Sequence, residues 1–299
     1  MHRHPLARLS VVLAALALLA GCTLGTPTDD ASSGSSADAA LPSVSGTIGV
    51  KPVIVFPASA PPTTLVSDVL IDGHGPTVSA NDLIVANYLG QVWGGKTFDN
   101  SYDRRKVLAT PLSKLVPGWA DGLTGKAVGS RVLLALPPSE GYGVNGNTTA
   151  GITGTDTIVF VVDILGSFGA SATGESTAIP AGQAPAGLVV SGKLGTPATV
   201  TVVAGTPAPL VATTTVLAIG SGAPLVAGQA LVQVAASDWK GTDPGSTWDG
   251  SGPIQVSIDA GAPYAGLVGV RVGSRVVVVI PASGDVPAVA SVVDVLAQT

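Results

Sequence analysis

The chain has 299 residues, enough for two domains, and carries 14 Lys and Arg against 19 Asp and Glu, a formal net charge of −5. Only 11% of it is charged, so it offers no cationic surface for a phosphate backbone, and nucleic acid is not expected as a partner. It is 46% hydrophobic, with 39 Gly, 23 Pro and a single Met, a β-rich composition with many turns.

Residues 1–21 read as a signal peptide. His2, Arg3, His4 and Arg8 form a positive start, and Leu9 to Ala20 is an apolar run too short to span a bilayer. It ends in Leu19-Ala20-Gly21-Cys22, which resembles the bacterial lipobox. That resemblance implies cleavage before Cys22, lipidation of its thiol, and a mature chain anchored outside the cytoplasm without spanning the membrane. The alternative is an ordinary secretory leader beside a chance cysteine. Cys22 is the only cysteine, so no internal disulfide is possible. With Arg3 and Arg8 gone, the net charge moves from −5 to −7. Residues 22–43 are rich in Ser, Ala, Asp, Gly and Thr, and read as a disordered tether.

The body repeats itself. Val44–Gly49 (VSGTIG) recurs as Val190–Gly195 (VSGKLG), and Val69–Gly75 (VLIDGHG) as Val216–Gly222 (VLAIGSG). Thr97–Ser101 (TFDNS) recurs as Thr247–Ser251 (TWDGS). Val128–Pro137 (VGSRVLLALP) recurs as Val272–Pro281 (VGSRVVVVIP), and Val161–Leu165 (VVDIL) as Val292–Leu296 (VVDVL). Matches in one order along the chain mark a tandem pair. The pair occupies residues 44–165 and 190–299, and the Ala/Gly/Ser/Pro-rich residues 166–189 are expected to be a linker. Asp82–Leu89, Arg131–Leu136 and Thr157–Leu165 are β-branched or apolar runs with turn residues at their ends and predict strands. Pro117–Leu123 predicts a short helix. Each copy is expected to be α+β, a twisted antiparallel sheet with one short helix.

Gly90–Thr97 (GQVWGGKT) matches a phosphate-binding loop, but no helical pattern follows the Lys. A Gly-rich hairpin turn is expected there, without nucleotide. After the leader only His74 remains, between two glycines, so neither a His-based catalytic triad nor a His/Cys metal site can form. No metal or cofactor is expected, although a carboxylate-only calcium site from Asp99 and Asp103 is not excluded by sequence. The aromatics are concentrated: three of four Phe, three of four Tyr and two of four Trp lie between Tyr88 and Phe168.

Six landmarks then occur in order. They are NYLG at Asn87–Gly90, GKTFDNS at Gly95–Ser101, LVPGWADGL at Leu115–Leu123, VGSR at Val128–Arg131, PPSEGYG at Pro137–Gly143 and TIVFVVDIL at Thr157–Leu165. In this respect residues 64–165 resemble the FKBP-type peptidyl-prolyl cis-trans isomerases. The resemblance implies a sheet wrapped around a short helix, with a proline-binding pocket between them. It implies Trp119 as the pocket floor, with Tyr88, Phe98 and Phe160 as walls. It places Leu115 and Val116 along one side, the Val116 N–H donating to a substrate carbonyl, and Ile152 on the rim. Tyr142 would donate its hydroxyl, and Asp99 would orient the pocket near Tyr88. Substrates would be proline-containing polypeptides. The family usually has aromatics where Leu108 and Thr110 stand, and a bulky residue where Gly151 precedes Ile152, so a shallower pocket with a softer rim is expected.

The second copy reads as the frame without the pocket. Ala235 is expected at the position of Tyr88, Trp248 and Asp249 at that of Phe98 and Asp99, Tyr264 at that of Trp119, and Ser291 at that of Phe160. Two functions stay open at this point. One is a lipid-anchored isomerase for exported polypeptides; the other is a non-catalytic polypeptide-binding or scaffolding lipoprotein of the envelope.

Overall fold

The computed structural model describes residues 40–240 and 245–299; Cys22, the leader and nearly all of the tether lie outside them. The first half contains β1 (Ser43–Ser45), β2 (Val53–Val55), β3 (Val66–Ile71), β4 (Leu83–Val92), β5 (Thr97–Asn100), α1 (Ser101–Arg104), β6 (Leu108–Pro111), α2 (Pro117–Leu123), β7 (Arg131–Leu136) and β8 (Ile158–Phe168). The second contains β9 (Ile179–Pro180), β10 (Leu188–Ser191), β11 (Thr199–Val202), β12 (Thr213–Ile219), β13 (Gln229–Asp238), β14 (Ile254–Ser257), β15 (Arg275–Ile280) and β16 (Val289–Gln298). All strand pairing is antiparallel.

The first sheet runs β3-β7-β8-β4-β5, with β6 also paired to β4. The second runs β12-β15-β16-β13-β14, with β9 added outside β12. The order is the same with β3, β7, β8 and β4 replaced by β12, β15, β16 and β13. β14 takes the place of β6: β4 pairs Leu83 with Pro111, and β13 pairs Gln229 with Ser257.

The repeated VGSR motif has a mechanical meaning. Arg131 donates through Nε and Nη2 to both carboxylate oxygens of Asp163, at 2.6 and 2.8 Å. Its remaining N–H groups reach the carbonyls of Gly46, Thr47 and Val50 in the β1–β2 turn. Arg275 holds Asp294 at the same 2.6 and 2.8 Å, and reaches the carbonyls of Gly192, Lys193 and Thr196 between β10 and β11. Both pairs are buried, and the bidentate fork suits that burial. Hydrogen bonding to Asp163 raises the Arg131 pKa above its ordinary value. The serine before each Arg accepts from a glycine N–H across the sheet, Gly73 to Ser130 and Gly220 to Ser274, both at 2.9 Å. Any side chain at Gly73 would strike the Val128–Ser130 backbone, at distances from 2.4 Å.

Hairpin β1–β2 covers the outer sheet face, where Val44, Ile54 and Phe56 pack on Leu133, Ala135, Val159 and Val161. The inner face carries the main core of Tyr88, Trp119, Leu134, Leu136, Phe160 and Val162, closed by α2.

Three expectations are corrected here. Residues 166–189 are not a free linker. β8 continues to Phe168, β9 pairs with β12, and Gln233 and Trp248 donate to the carbonyls of Ala170 and Ala172. The second half has no α-helix among its described residues; a three-residue 3-10 turn, Ala265–Leu267, stands where α2 would be. The turn ends at Val268, whose ψ of 128° lies outside the helical region, whereas α2 runs on for seven residues.

The third correction is register. Asn87 pairs with Asp163 and Gln233 with Asp294, so Val234, not Ala235, occupies the position of Tyr88. A one-residue slip moves a side chain to the opposite face, and Ala235 does pack on the outer side. Thr247 also takes over the role of Ser101. Ser101 Oγ accepts from the Tyr88 N–H and donates to Asn87; Thr247 Oγ1 accepts from the Val234 N–H and donates to Gln233. Trp248 consequently lies on the outer side with Ala235 and Val277, not at the position of Phe98.

Candidate functional site

The pocket is built on three local devices. α2 starts with Pro117, whose fixed φ and missing N–H suit a first helical position. Gly118 and Gly122 lie one turn apart on the face that meets the sheet. A Cβ on either would come within 2.5 Å of a Leu136 or Leu134 methyl, so glycine lets the helix sit this low without displacing those side chains. Ser67 on β3 donates to the Gly122 carbonyl at 2.6 Å, satisfying one of the helix-end acceptors. With the helix seated, Trp119 points into the sheet and is 2% exposed.

Phe160 on β8 is the hub of the ring cluster. Its ring centroid lies 5.2 Å from Trp119, 5.6 Å from Phe98 and 6.2 Å from Tyr88. Tyr88 meets Trp119 edge-on at 5.6 Å. Edge-to-face pairs of this kind add about 0.5–1.5 kcal/mol each beyond area burial. Room for Phe160 comes from Gly90, its register partner, where a Cβ would lie 2.7 Å from the Phe160 ring and 2.8 Å from Phe98.

The second half shows the reciprocal solution. Ser291 replaces Phe160, and its partner is Ala236 in place of glycine. That face is filled by Val234, Val278, Val293 and Leu267, with Tyr264 packed at its edge.

In the first half the rings enclose a cavity of about 120 Å³. Tyr88, Phe98, Asp99, Trp119, Tyr142 and Phe160 all line it, as do Leu115 and Val116. Leu108 also lines it; Thr110 does not. Ile152 departs from expectation. It is 3% exposed within the main core, and its backbone pairs with Asn147, so it supports the loop from below and is not on the rim.

Sequence reasoning missed Arg104. Its Nη1 is paired with Asp99, its Nη2 donates to the Tyr88 hydroxyl at 2.8 Å, and its guanidinium lies 5.6 Å above the Tyr88 ring. Tyr88 in turn donates to Asp99. Burial, reinforced by the Asp99 hydrogen bond, pushes the Tyr88 pKa up to about 12, so the hydroxyl stays a donor at physiological pH.

Arg104 sits on α1, a single turn capped by the Asn100 side chain and ended by Arg105 in the left-handed region, at φ 52°. That helix is fastened from outside. Tyr102 donates to Asp163 at 2.9 Å, and Asp103 pairs with Lys51 of the N-terminal hairpin at 2.7 Å. The Gly90–Thr97 stretch is the end of β4, a hairpin turn over residues 93–96 and the start of β5, and no helix begins at Lys96.

Residues 75–165 match the family model described as FKBP-type peptidyl-prolyl cis-trans isomerase. The chain is 34% identical over 116 residues to the probable FK506-binding protein of Corynebacterium glutamicum, a match covering 38% of this chain and 97% of that one. This chain belongs to the FKBP-type peptidyl-prolyl cis-trans isomerase family. The FK506-binding protein of Streptomyces anulatus is 31% identical over 118 residues, covering 38% of this FKBP chain and 95% of the relative. FkpA of Escherichia coli (strain K12) is 39% identical over 103 residues, 34% of this chain. The chain spans 37% of the length of FkpA. A crystal structure of Escherichia coli FkpA aligns at 38% identity with a TM-score of 0.33, over 34% of this chain and 47% of that one. The first half is thus an FKBP fold, α+β with an antiparallel sheet and few helices.

Proposed function

We propose that residues 44–165 accelerate rotation about X-Pro bonds in polypeptides. The observation that carries this is the aromatic cavity itself, five aromatic side chains around about 120 Å³ with two donors at its edge. No described residue accepts from the Val116 N–H or the Tyr142 hydroxyl, so both remain available to substrate.

Rotation breaks amide resonance, and uncatalysed it takes tens to hundreds of seconds. A planar amide has more charge separation than a twisted one. A dry ring-lined cavity therefore disfavours the planar form relative to the twisted one, which is differential binding of the transition state. The Val116 N–H would hold a substrate carbonyl while the proline ring rests on Trp119. Asp99 and Arg104 fix the Tyr88 ring as a wall. No nucleophile or proton transfer is required by this route.

The second half reads as a further copy of the same fold that lacks the aromatic cavity. Its strand order, its Arg275–Asp294 pair and its Gly220–Ser274 contact support that reading. The Leu19–Cys22 sequence supports a lipid-anchored location outside the cytoplasm, which would make exported polypeptides the substrates. Cys22→Ser should shift the protein from the membrane to the soluble fraction, and an unchanged distribution would refute the anchor.

The activity test uses the full chain and a peptide with Leu or Phe before proline. Acceleration over buffer, lost on Trp119→Leu, is the expected result. A folded protein that gives no acceleration would leave the polypeptide-binding, non-catalytic reading in its place.

A further inference from the structure

The two halves meet through corresponding surfaces. Leu83 and Val85 of β4 share one apolar cluster with Leu231 of β13 and Leu296 of β16. Val85 and Leu231 hold equivalent places, since β4 pairs Val85 with Ala109 and β13 pairs Leu231 with Gln255. Ala109 and Gln255 are therefore equivalent too, and they touch: Gln255 Nε2 donates to the Ala109 carbonyl at 2.9 Å. At these two positions like meets like across the seam, whereas Leu165, the counterpart of Leu296, lies outside the cluster and exposed.

β6 stands between this interface and the pocket. One side of it presents Leu108 to the cavity. The other presents Ala109 to the shared cluster, joined by Val107 just before the strand. β6 pairs with β4 alone, so one of its edges has no ladder partner, and the Gln255 amide satisfies a carbonyl there. Leu108 is also the wall position at which the family usually has an aromatic ring. A thinner wall depends more on the backbone behind it.

We propose that Leu231 and Gln255 are positioning residues for the pocket of the other half, holding β6 and through it the Leu108 wall. The half without the aromatic cavity is in this sense a buttress. The proposal rests on the isomerase reading for its kinetic consequence, but not for its structural one.

The test uses the full chain and two measurements, amide hydrogen exchange across Leu108–Thr110 and kinetics on an X-Pro peptide. Gln255→Glu keeps the shape and removes the donor. It should speed exchange in β6 and raise KM, each by about two- to tenfold, the range that one hydrogen bond supports, with kcat little changed. Gln255→Lys, which keeps a donor, should restore both. Leu231→Ala should exceed Gln255→Glu in both measurements, and if that variant fails to fold the Gln255 pair decides alone. Wild-type exchange and wild-type KM in Gln255→Glu would overturn the proposal. A wild-type chain with no isomerase activity would instead refute the catalytic reading, and the exchange measurement would still decide whether β6 is held.

Discussion

Replacing Arg131 or Arg275 by Met is one chemical change made in two matched environments. Each removes one partner of a buried ion pair, in which Asp163 and Asp294 have 0% side-chain exposure. Leaving such a carboxylate uncompensated costs about 3–5 kcal/mol. Each variant also strands the hairpin carbonyls that the guanidinium served. Asp163 keeps the Tyr102 hydroxyl and the Gly49 N–H, whereas Asp294 keeps the Gly174 N–H. The Arg131 loss should therefore fall toward the lower end of that range and the Arg275 loss toward the upper. Total stabilities of about 5–15 kcal/mol leave both variants measurable by denaturant titration.

Their effects on rate should differ. Asp163 is bonded to Tyr102 on α1, and α1 carries Arg104, which braces Asp99 and Tyr88 in the pocket wall. Asp294 has no comparable route to the ring-lined cavity. Arg131→Met should lower kcat/KM about three- to tenfold, as a displaced charged hydrogen bond would, and Arg275→Met less than twofold, with both assayed in buffer where each is folded. A stability loss under about 1 kcal/mol at either site would refute the claim that these pairs hold the hairpins. Equal rate losses would refute the α1 route.

Other outcomes follow from the pocket geometry. Gly90→Ala forces a methyl into the Phe98 and Phe160 rings, and should cost about 1–3 kcal/mol and most of the activity; unchanged kinetics would mean those rings do not shape the site. In a Phe160→Ser background the same substitution should cost less than in the parent chain, because one of the two rings that the methyl strikes is gone, as where Ala236 stands opposite Ser291. Tyr142→Phe keeps the ring and removes a hydroxyl free to meet substrate, so KM should rise about two- to tenfold at constant stability. At high pH, Tyr88 and Tyr102 are both raised, chiefly by burial, so the folded chain keeps protons that the unfolded chain releases near pH 10. Stability from these groups is full below pH 10 and drains as pH climbs through about 12; Tyr102→Phe should flatten that decline in stepped-pH denaturation.

Much of the site can be read from residue types. Trp119, Tyr142 and the NYLG and TFDNS segments have distinctive composition and spacing, and the cavity gathers them. Arg104 escaped because α1 is only four residues long, too short to show helical period, and its charge stood in a polar run that read as loop. Ile152 was misplaced because an apolar residue in a loop reads alike whether it faces substrate or core. The register of β13 was misjudged for a different reason. The TFDNS and TWDGS segments align by letters, yet the hydroxyl that ties each strand comes from Ser101 in one and Thr247 in the other. Residues 166–189 look like a spacer because Gly, Ala and Ser contribute little of their own; their order comes from Gln233, Trp248 and Asp294 reaching for their backbone.

The shared cluster also sets a schedule. A chain is made from its N-terminus, and domains tend to fold in that order. β4 and β8 can close the pocket once Phe168 exists. Leu83 and Val85 then stay uncovered until β13 and β16 have been made, with Leu296 among the last pieces. For that interval the protein exposes an apolar patch of its own, beside the very strand that shapes its cavity. The growing chain thus passes through a stage at which it is itself prone to stick.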